Sequence, residues 1–361
     1  MNKGVKFRIY PNKEQEKLIL KTFGCCRLIY NKGLDMRINA YKNGEKVNYA
    51  KTSAMLTKLK RQDDFAFLKE VDAVALQQSL RDLDRAYQNF FKKRAKFPKF
   101  KSKHSNRQSY RTLSTSICIA GNYLKLPKLG YVKIKQSMEI GHIHNATVEK
   151  TPTGKYFAVL NVEFEPEVKQ NNSNSIGIDV GLKEFYTDSN GNKVSNPKYL
   201  EKLERKLKRE QRRLSRKQKG AKNREKQRIK VARVYEKITN QRNDFLQKES
   251  TKLVRENQTI CIEDLNVKGM LRNHKLAKAI SSVSWDMFFD MLEYKATWYG
   301  NEIIKVPTMY PSSQICSCCG YKNPLVKNLF VREWICPECR TKHDRDYNAS
   351  INILNKGLSL A

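Results

Sequence analysis

Three acidic residues and four cysteines carry the chemistry this sequence offers. Asp179 lies in Ser175-Ile176-Gly177-Ile178-Asp179-Val180-Gly181, an apolar strand-type run with a glycine two residues to either side of the carboxylate. Along a strand Ile176, Ile178 and Val180 share one face and Asp179 points to the other. The two glycines are expected to clear bulk beside it for a nucleic-acid backbone or a metal ion. Glu263 ends a second apolar strand, Thr259-Ile260-Cys261-Ile262-Glu263-Asp264-Leu265. A third carboxylate, Asp346 or Asp344, opens a helix backed by Ala349, Ile353 and Leu354. Singly, each has a bland explanation, such as a solvated Asp or a helix N-cap. Gathered on one core they repel unless cations lie between them. Such a cluster suits two hard divalent ions, Mg²⁺ or Mn²⁺, about 3.5–4 Å apart, whose chemistry is water activation and leaving-oxygen stabilisation at a phosphodiester.

The cysteines are more specific. Cys316, Cys319, Cys336 and Cys339 form C-x2-C, sixteen residues, C-x2-C. Four thiolates at that spacing make a tetrahedral site on two knuckles for one structural Zn²⁺, with no open position for catalysis. Cys318 is spare, and a register using it is an alternative.

The chain has 361 residues, 71 Lys+Arg against 36 Asp+Glu and a net charge of +35. That excess implies a polyanionic partner, most simply nucleic acid. There is neither an apolar run long enough to span a membrane nor a secretory signal pattern, so a cytoplasmic protein without a membrane partner is expected. Nine cysteines in such a chain read as metal ligands and stray thiols, not as a disulfide framework.

The positioning elements follow from periodicity. Residues 3–10 alternate as a strand; helices are expected over 13–41, 50–61 and 72–96. The last carries an apolar stripe and a polar face with Gln77, Gln78 and Arg81, followed by Lys92, Lys93 and Arg94. From Phe97 through Lys99, Phe100 and Lys101 to Tyr110, aromatics alternate with cations, as a base-stacking, phosphate-tracking surface requires. Strands expected at 115–120, 123–126, 130–135, 145–151 and 156–165 make a small barrel. His142 and His144 match a two-histidine metal motif, but Gly141 before them suggests a loop, and they read as structural. A polar linker at 166–174 marks a domain boundary. Beyond Asp179 a hairpin follows, and residues 200–257 are helical and very basic, with 16 Lys+Arg and 4 Glu over 201–233. Leu200, Leu203, Leu207 and Leu214 against Val231, Val234, Ile238 and Phe245 make a narrow seam, broken at Lys219-Gly220-Ala221. Two antiparallel helices are expected, with Arg205, Lys208, Arg212 and Arg216 available to phosphates. A helix at 284–299 and a strand at 303–306 complete the pattern.

The order GIDVG, IEDLN, four-cysteine ribbon and HDRDYNASINIL resembles the TnpB proteins of insertion sequences, relatives of the type V CRISPR nucleases. KFRIYP at 6–11, QQSLRDL at 77–83 and FPKF at 97–100 extend the resemblance along nearly the whole chain. It implies a multidomain α+β protein. A wedge-type β-barrel would span 1–10 plus 97–166, and a helical recognition domain 11–96. An RNase H-like (RuvC) nuclease domain would span 175–315 plus 340–361, and a zinc-ribbon insertion 316–339. It also implies a guide RNA from the transposon end, cleavage of double-stranded DNA beside a short motif, and Asp179, Glu263 and Asp346 as catalytic ligands. Asp346 is preferred because the family's final Asp lies two residues before the Asn; Asp344 would then stand behind it. In this reading base pairing supplies sequence, while Gln77 and Gln78 could read adenine edges in the flanking motif. Three rivals predict different behaviour: a nuclease-inactive guided repressor, a metal-dependent transposase acting without RNA, and a non-catalytic zinc-ribbon module.

Overall fold

The alternation of Val5, Phe7 and Ile9 with polar neighbours makes β1 (Asn2–Tyr10) a strand buried on one face. This computed structural model describes residues 1–105, 107–113, 115–136, 138–166 and 173–361, in two compact units, Met1–Glu165 and Pro166–Ala361. The expected linker falls mostly on 167–172, outside the described residues.

In the first unit Asn12 starts α1 (Lys13–Lys42). Its side chain accepts from the Gln15 N–H while the Gln15 side chain accepts from the Asn12 N–H, a reciprocal capping box. After α2 (Tyr49–Leu59) and a 3₁₀ turn comes α3 (Ala73–Phe91). The remaining strands are β2 (Gln108–Thr112), β3 (Cys118–Ala120), β4 (Tyr123–Leu126), β5 (Gly130–Lys135), β6 (Ile143–Lys150) and β7 (Tyr156–Glu163). They form one antiparallel sheet in the order β2-β6-β7-β1-β5-β4-β3, with the first strand of the chain at its centre. Helices and sheet share a core that includes Phe7, Ile29, Leu76, Leu80 and Leu160.

Two boundaries are corrected here. The helix expected to reach Lys96 stops at Phe91, because Lys93 enters the left-handed region (φ 55°). The Lys93 and Arg94 N–H groups then bond back to the Phe90 and Asn89 carbonyls, which closes the helix in a Schellman turn. The strand expected over 115–120 shortens to Cys118–Ala120, while an unanticipated strand, β2, forms inside the cation–aromatic stretch. His142 and His144 stack edge to face, and His144 Nε2 lies 3.3 Å from Glu163 Oε1; no metal-binding group forms around them among the described residues.

The second unit is built on β8 (Ser175–Val180), β9 (Glu184–Asp188), β10 (Lys193–Ser195), β11 (Thr259–Glu263) and β12 (Glu302–Val306), in the order β10-β9-β8-β11-β12. β8, β11 and β12 run parallel; β9 and β10 are antiparallel additions at one edge. α4 (Tyr199–Ser215) and α5 (Lys222–Glu256) form the basic hairpin, turning through Gly220 at φ 87°. α6 (Val267–Met270), α7 (Ala277–Val283) and α8 (Trp285–Tyr299) follow. The short hairpin β13 (Glu333–Ile335) and β14 (Lys342–Asp344) leads directly into α9 (Arg345–Leu358).

The two faces of this sheet are covered differently. Ile176, Ile178, Ile260 and Ile262 turn to a core with Leu246 and Leu253 of α5 and Phe288 and Leu292 of α8. Cys261, Ile304 and Val306 turn the other way, onto Ile353 and Leu354 of α9. The hairpin has its own seam of Leu207, Val231, Val234 and Ile238, in which Glu210 is buried and accepts from Gln227 Nε2 at 2.7 Å. Phe245 leaves that seam for the sheet core, 4.9 Å from Phe185 between ring centroids. Among the described residues no helix is long and apolar enough to cross a membrane.

Candidate carboxylate site and cysteine centre

Strand register aligns the first two carboxylates. β8 and β11 pair Ile176 with Ile260, Gly177 with Cys261 and Ile178 with Ile262. One step further along parallel strands sets Asp179 level with Glu263, and alternation puts both on the face that α9 covers. α9 brings the third. Its close approach depends on glycine: a Cβ on Gly177 would sit 2.2 Å from the Ser350 carbonyl oxygen, and one on Gly357 2.3 Å from Cys261 Sγ. The expectation that Gly177 clears space for a ligand is therefore corrected; it clears space for the backbone of α9. Asp346, in the first turn of that helix, is thereby carried to the end of β8.

Electrostatics records the convergence. Burial raises Asp179 well above the ordinary carboxylate range, and the charges of Glu263 and Asp346 raise it further. Arg345 and Arg332 pull it partly back. Glu263 is raised by burial, while a hydrogen bond from Ser312 Oγ, 2.6 Å from Glu263 Oε1, lowers it. Asp344 is the N-cap of α9, accepting from the Tyr347 N–H, and Lys193 Nζ lies 2.7 Å from its other oxygen. Burial acts to raise Asp344, but these hydrogen bonds outweigh it and hold the group low. Arg332 escaped the sequence reading. Its guanidinium is 3.6 Å from Asp346 Oδ1, and no spacing rule marks a lone arginine between two cysteine pairs.

The oxygens of Asp179, Glu263 and Asp346 do not all lie within 4.8 Å of one another, whereas the four cysteine sulfurs do. Cys316 and Cys339 are 3.6 Å apart, and Cys319 and Cys336 3.5 Å. Those spacings suit one tetrahedrally bound metal ion, for which bonds of about 2.3 Å place sulfurs roughly 3.8 Å apart. Burial pushes the Cys316 thiol up to about 12, while hydrogen bonding with the Thr341 side chain and backbone brings Cys339 down to about 6. His343 Nε2 lies 3.0 Å from Cys316 Sγ, and its ring packs on Trp334. Spare Cys318 shares a second possible metal group with Cys316 and His343.

The expected nucleic-acid contacts separate by exposure. Arg205, Lys208, Arg212 and Arg216 are exposed along α4, and with Arg209 and Arg213 they line a shallow cationic groove. Gln77, Arg81, Lys99, Lys101, Phe97 and Phe100 are exposed as well, although Phe97 also packs edge-on against Tyr87 and Phe90. Two residues are corrected. Gln78 is buried on the inner side of α3, and Tyr110 is buried in the first unit's core, 5.8 Å from Phe23 between ring centroids. β2 turns Tyr110 inward, so it offers no ring face to a base.

An RNase H-like sheet with three carboxylates on its helix-covered face, and a cysteine ribbon inserted before the last helix, defines the split RuvC-type nuclease fold. Comparison with known proteins agrees. The OrfB_IS605 profile ("Probable transposase") matches residues 157–274, and the Cas12f1-like TNB domain profile matches 285–353. A helix-turn-helix profile matches 1–46, which in this structure is β1 followed by the single long helix α1. A Streptomyces pristinaespiralis protein named "Putative RNA-guided DNA endonuclease" is 42% identical over 99% of this chain and 90% of its own. An Escherichia coli K12 protein of the same description, InsQ, is 32% identical over 98% and 91%. A Cas12f1 chain solved with guide RNA and target DNA superposes with a TM-score of 0.59 at 14% identity, over 98% of this chain and 99% of that one, and so shares the fold. The chain belongs to the TnpB family, the OrfB proteins of IS605-type insertion sequences.

Proposed function

We propose that this protein is an RNA-guided DNA endonuclease of a transposable element, hydrolysing double-stranded DNA beside a short flanking motif. The observation that carries the reading is the convergence of Asp179, Glu263 and Asp346 on one face of the sheet, seen in the charge coupling at Asp179. Relatives 42% and 32% identical along almost the whole chain, both named RNA-guided DNA endonucleases, support it.

The donor sets fit two kinds of metal. The three carboxylates offer hard oxygens, so Asp179, Glu263 and Asp346 would hold Mg²⁺ or Mn²⁺, as a pair of ions about 3.5–4 Å apart by the general rule. Such ions, when bound, supply an activated water and charge stabilisation at the leaving oxygen. The chain's own part is positional. Asp179 and Glu263 are held by paired strands, and Asp346 is held by a helix start. Arg332 presents a cation beside them for a phosphate oxygen, and Ser312 fixes one oxygen of Glu263. The four cysteines would hold one structural Zn²⁺. The arginines of α4, with Lys99, Phe100 and Lys101, would follow the phosphates and bases of the guide and its heteroduplex.

The test is to purify the protein from its native locus, sequence the RNA that comes with it, and challenge a matched plasmid in Mg²⁺. A discrete RNA ending at the element boundary and guide-dependent cutting are expected. Tight target binding without cutting would instead mark a guided repressor, and joining of transposon ends by RNA-free protein would mark a transposase.

A further inference from the structure

Between β12 and the first cysteine knuckle the chain passes through residues 310–317, and this loop hangs from α9 by two buried asparagines one helical turn apart. Asn352 Nδ2 donates to the Ser312 carbonyl at 2.8 Å and to the Ile315 carbonyl at 2.7 Å. Asn348 Nδ2 donates to the same Ile315 carbonyl at 2.7 Å, and its Oδ1 accepts from the Ser317 N–H at 2.9 Å. Both asparagines are almost fully buried, at 1% and 4% exposure. The residues they hold flank Cys316, whose N–H and carbonyl close the knuckle onto Tyr321 and Gly320. At the other end of the loop, buried Ser312 donates its hydroxyl to Glu263 Oε1 at 2.6 Å. Among the described residues that hydroxyl is the sole side-chain partner Glu263 has.

Short hydrogen bonds and the covalent chain of residues 312–317 therefore join the cysteine centre to Glu263, with α9, which also bears Asp346, as the backing. We propose that Ser312 is a positioning residue for Glu263, and that the occupied cysteine centre sets Ser312 in place through the Asn348–Asn352 clamp. In this view the ribbon is a prop for the divalent-ion site as well as a fold in its own right. The inference rests on the proposed nuclease reading, because it assigns Glu263 to ion binding. Groups that orient a metal ligand in this way are worth about 10–100-fold in ion affinity.

The experiment uses the full-length protein in complex with its guide RNA and reads Mn²⁺ binding by electron paramagnetic resonance, alongside the Mn²⁺ concentration that half-saturates cleavage. Ser312→Ala is expected to weaken Mn²⁺ binding about tenfold and to raise the half-saturating concentration in parallel, with guide and target binding unchanged. Ser312→Thr, which keeps the hydroxyl, should restore most of it. Cys319→Ser, which opens the cysteine centre, should weaken Mn²⁺ binding when Ser312 is present and add little in the Ser312→Ala background. Hydrogen exchange over 311–318 in Cys319→Ser should rise, which shows the loop released while the remainder stays folded. Ser312→Ala binding Mn²⁺ within twofold of the unsubstituted protein would overturn the inference. So would full multiplication of the two effects in the double variant. If the unsubstituted complex shows no Asp179-dependent Mn²⁺ binding at all, the nuclease reading falls and takes this one with it.

Discussion

Under the proposed function the cysteine centre and the carboxylate site would both gather metal ligands, and they would do so by opposite means. The cysteines come in two close pairs on one short segment whose own core is small: Cys316, Val326, Trp334 and Cys336. Such a segment buries little, and an ion held by the four sulfurs would supply cohesion. The carboxylates come from two strands and a helix distant in sequence, and the scaffold holds them before any ion arrives. Asp179 records that cost: burial raises it well above the ordinary carboxylate range, and the charges of Glu263 and Asp346 raise it further. One centre would be made by its metal; the other is imposed by the fold.

That contrast can be broken by experiment. The largest effect should follow removal of the cysteine-bound ion, worth roughly 10–16 kcal/mol in comparable small metal domains. Cys336→Ser should release one equivalent of zinc and make residues 316–344 protease-sensitive, while the 1–165 unit keeps its melting behaviour. A ribbon that stays protected without metal would erase the distinction. Next, Asp179→Ala should lower guided cleavage by about 10³-fold or more, equivalent to about 4 kcal/mol of barrier, with target binding retained. Because the scaffold here precedes the ion, the same variant should be at least as thermally stable as the parent in metal-free buffer, which melting curves would show.

Gly177→Ala probes the scaffold itself. Its new methyl would meet backbone atoms of Ser350 and Leu354 that cannot rotate away, so α9 must shift and carry Asp346 with it. A loss of about 1–3 kcal/mol in denaturant melts, together with a fall in cleavage, is expected. Gly121→Ala has open space around it and strains only its left-handed backbone (φ 54°), so it should cost about 1 kcal/mol and leave cleavage alone. A surface comparison in the first unit completes the series. Phe100→Ala should weaken guide or target binding by about 1–3 kcal/mol if a base stacks there, whereas Tyr110→Phe should not change binding. A binding defect in the latter would mean that the strand carrying Tyr110 opens in the complex.

Much of the fold was readable because local rules dominate it. α1 and α2 begin and end within a residue or two of their periodic patterns, and the break between α4 and α5 falls at the glycine that signals it. Lys93 was not readable, since a lysine in a left-handed cap is chosen by the turn it closes and not by its own preference. Nor was β2: in a stretch where cations and polar residues surround a single tyrosine, alternation alone does not say which face meets a core, and Tyr110 was assigned to the wrong side. Gln78 failed similarly, lying at the edge of a helical stripe whose width depends on what packs against it.

Residue types and their spacing determined by themselves that the four cysteines act together, and that Asp179, Glu263 and an Asp near 346 sit at the ends of buried elements. Both follow from short-range geometry: knuckle spacing, strand alternation, helix starts. Only the tertiary structure decided that the charge of Asp346 falls on Asp179 while Asp344 caps the helix, that Gly177 serves helix packing, and that Ser312 reaches Glu263. Those outcomes depend on strand register and on how closely α9 approaches the sheet, distances set by residues far apart in the chain.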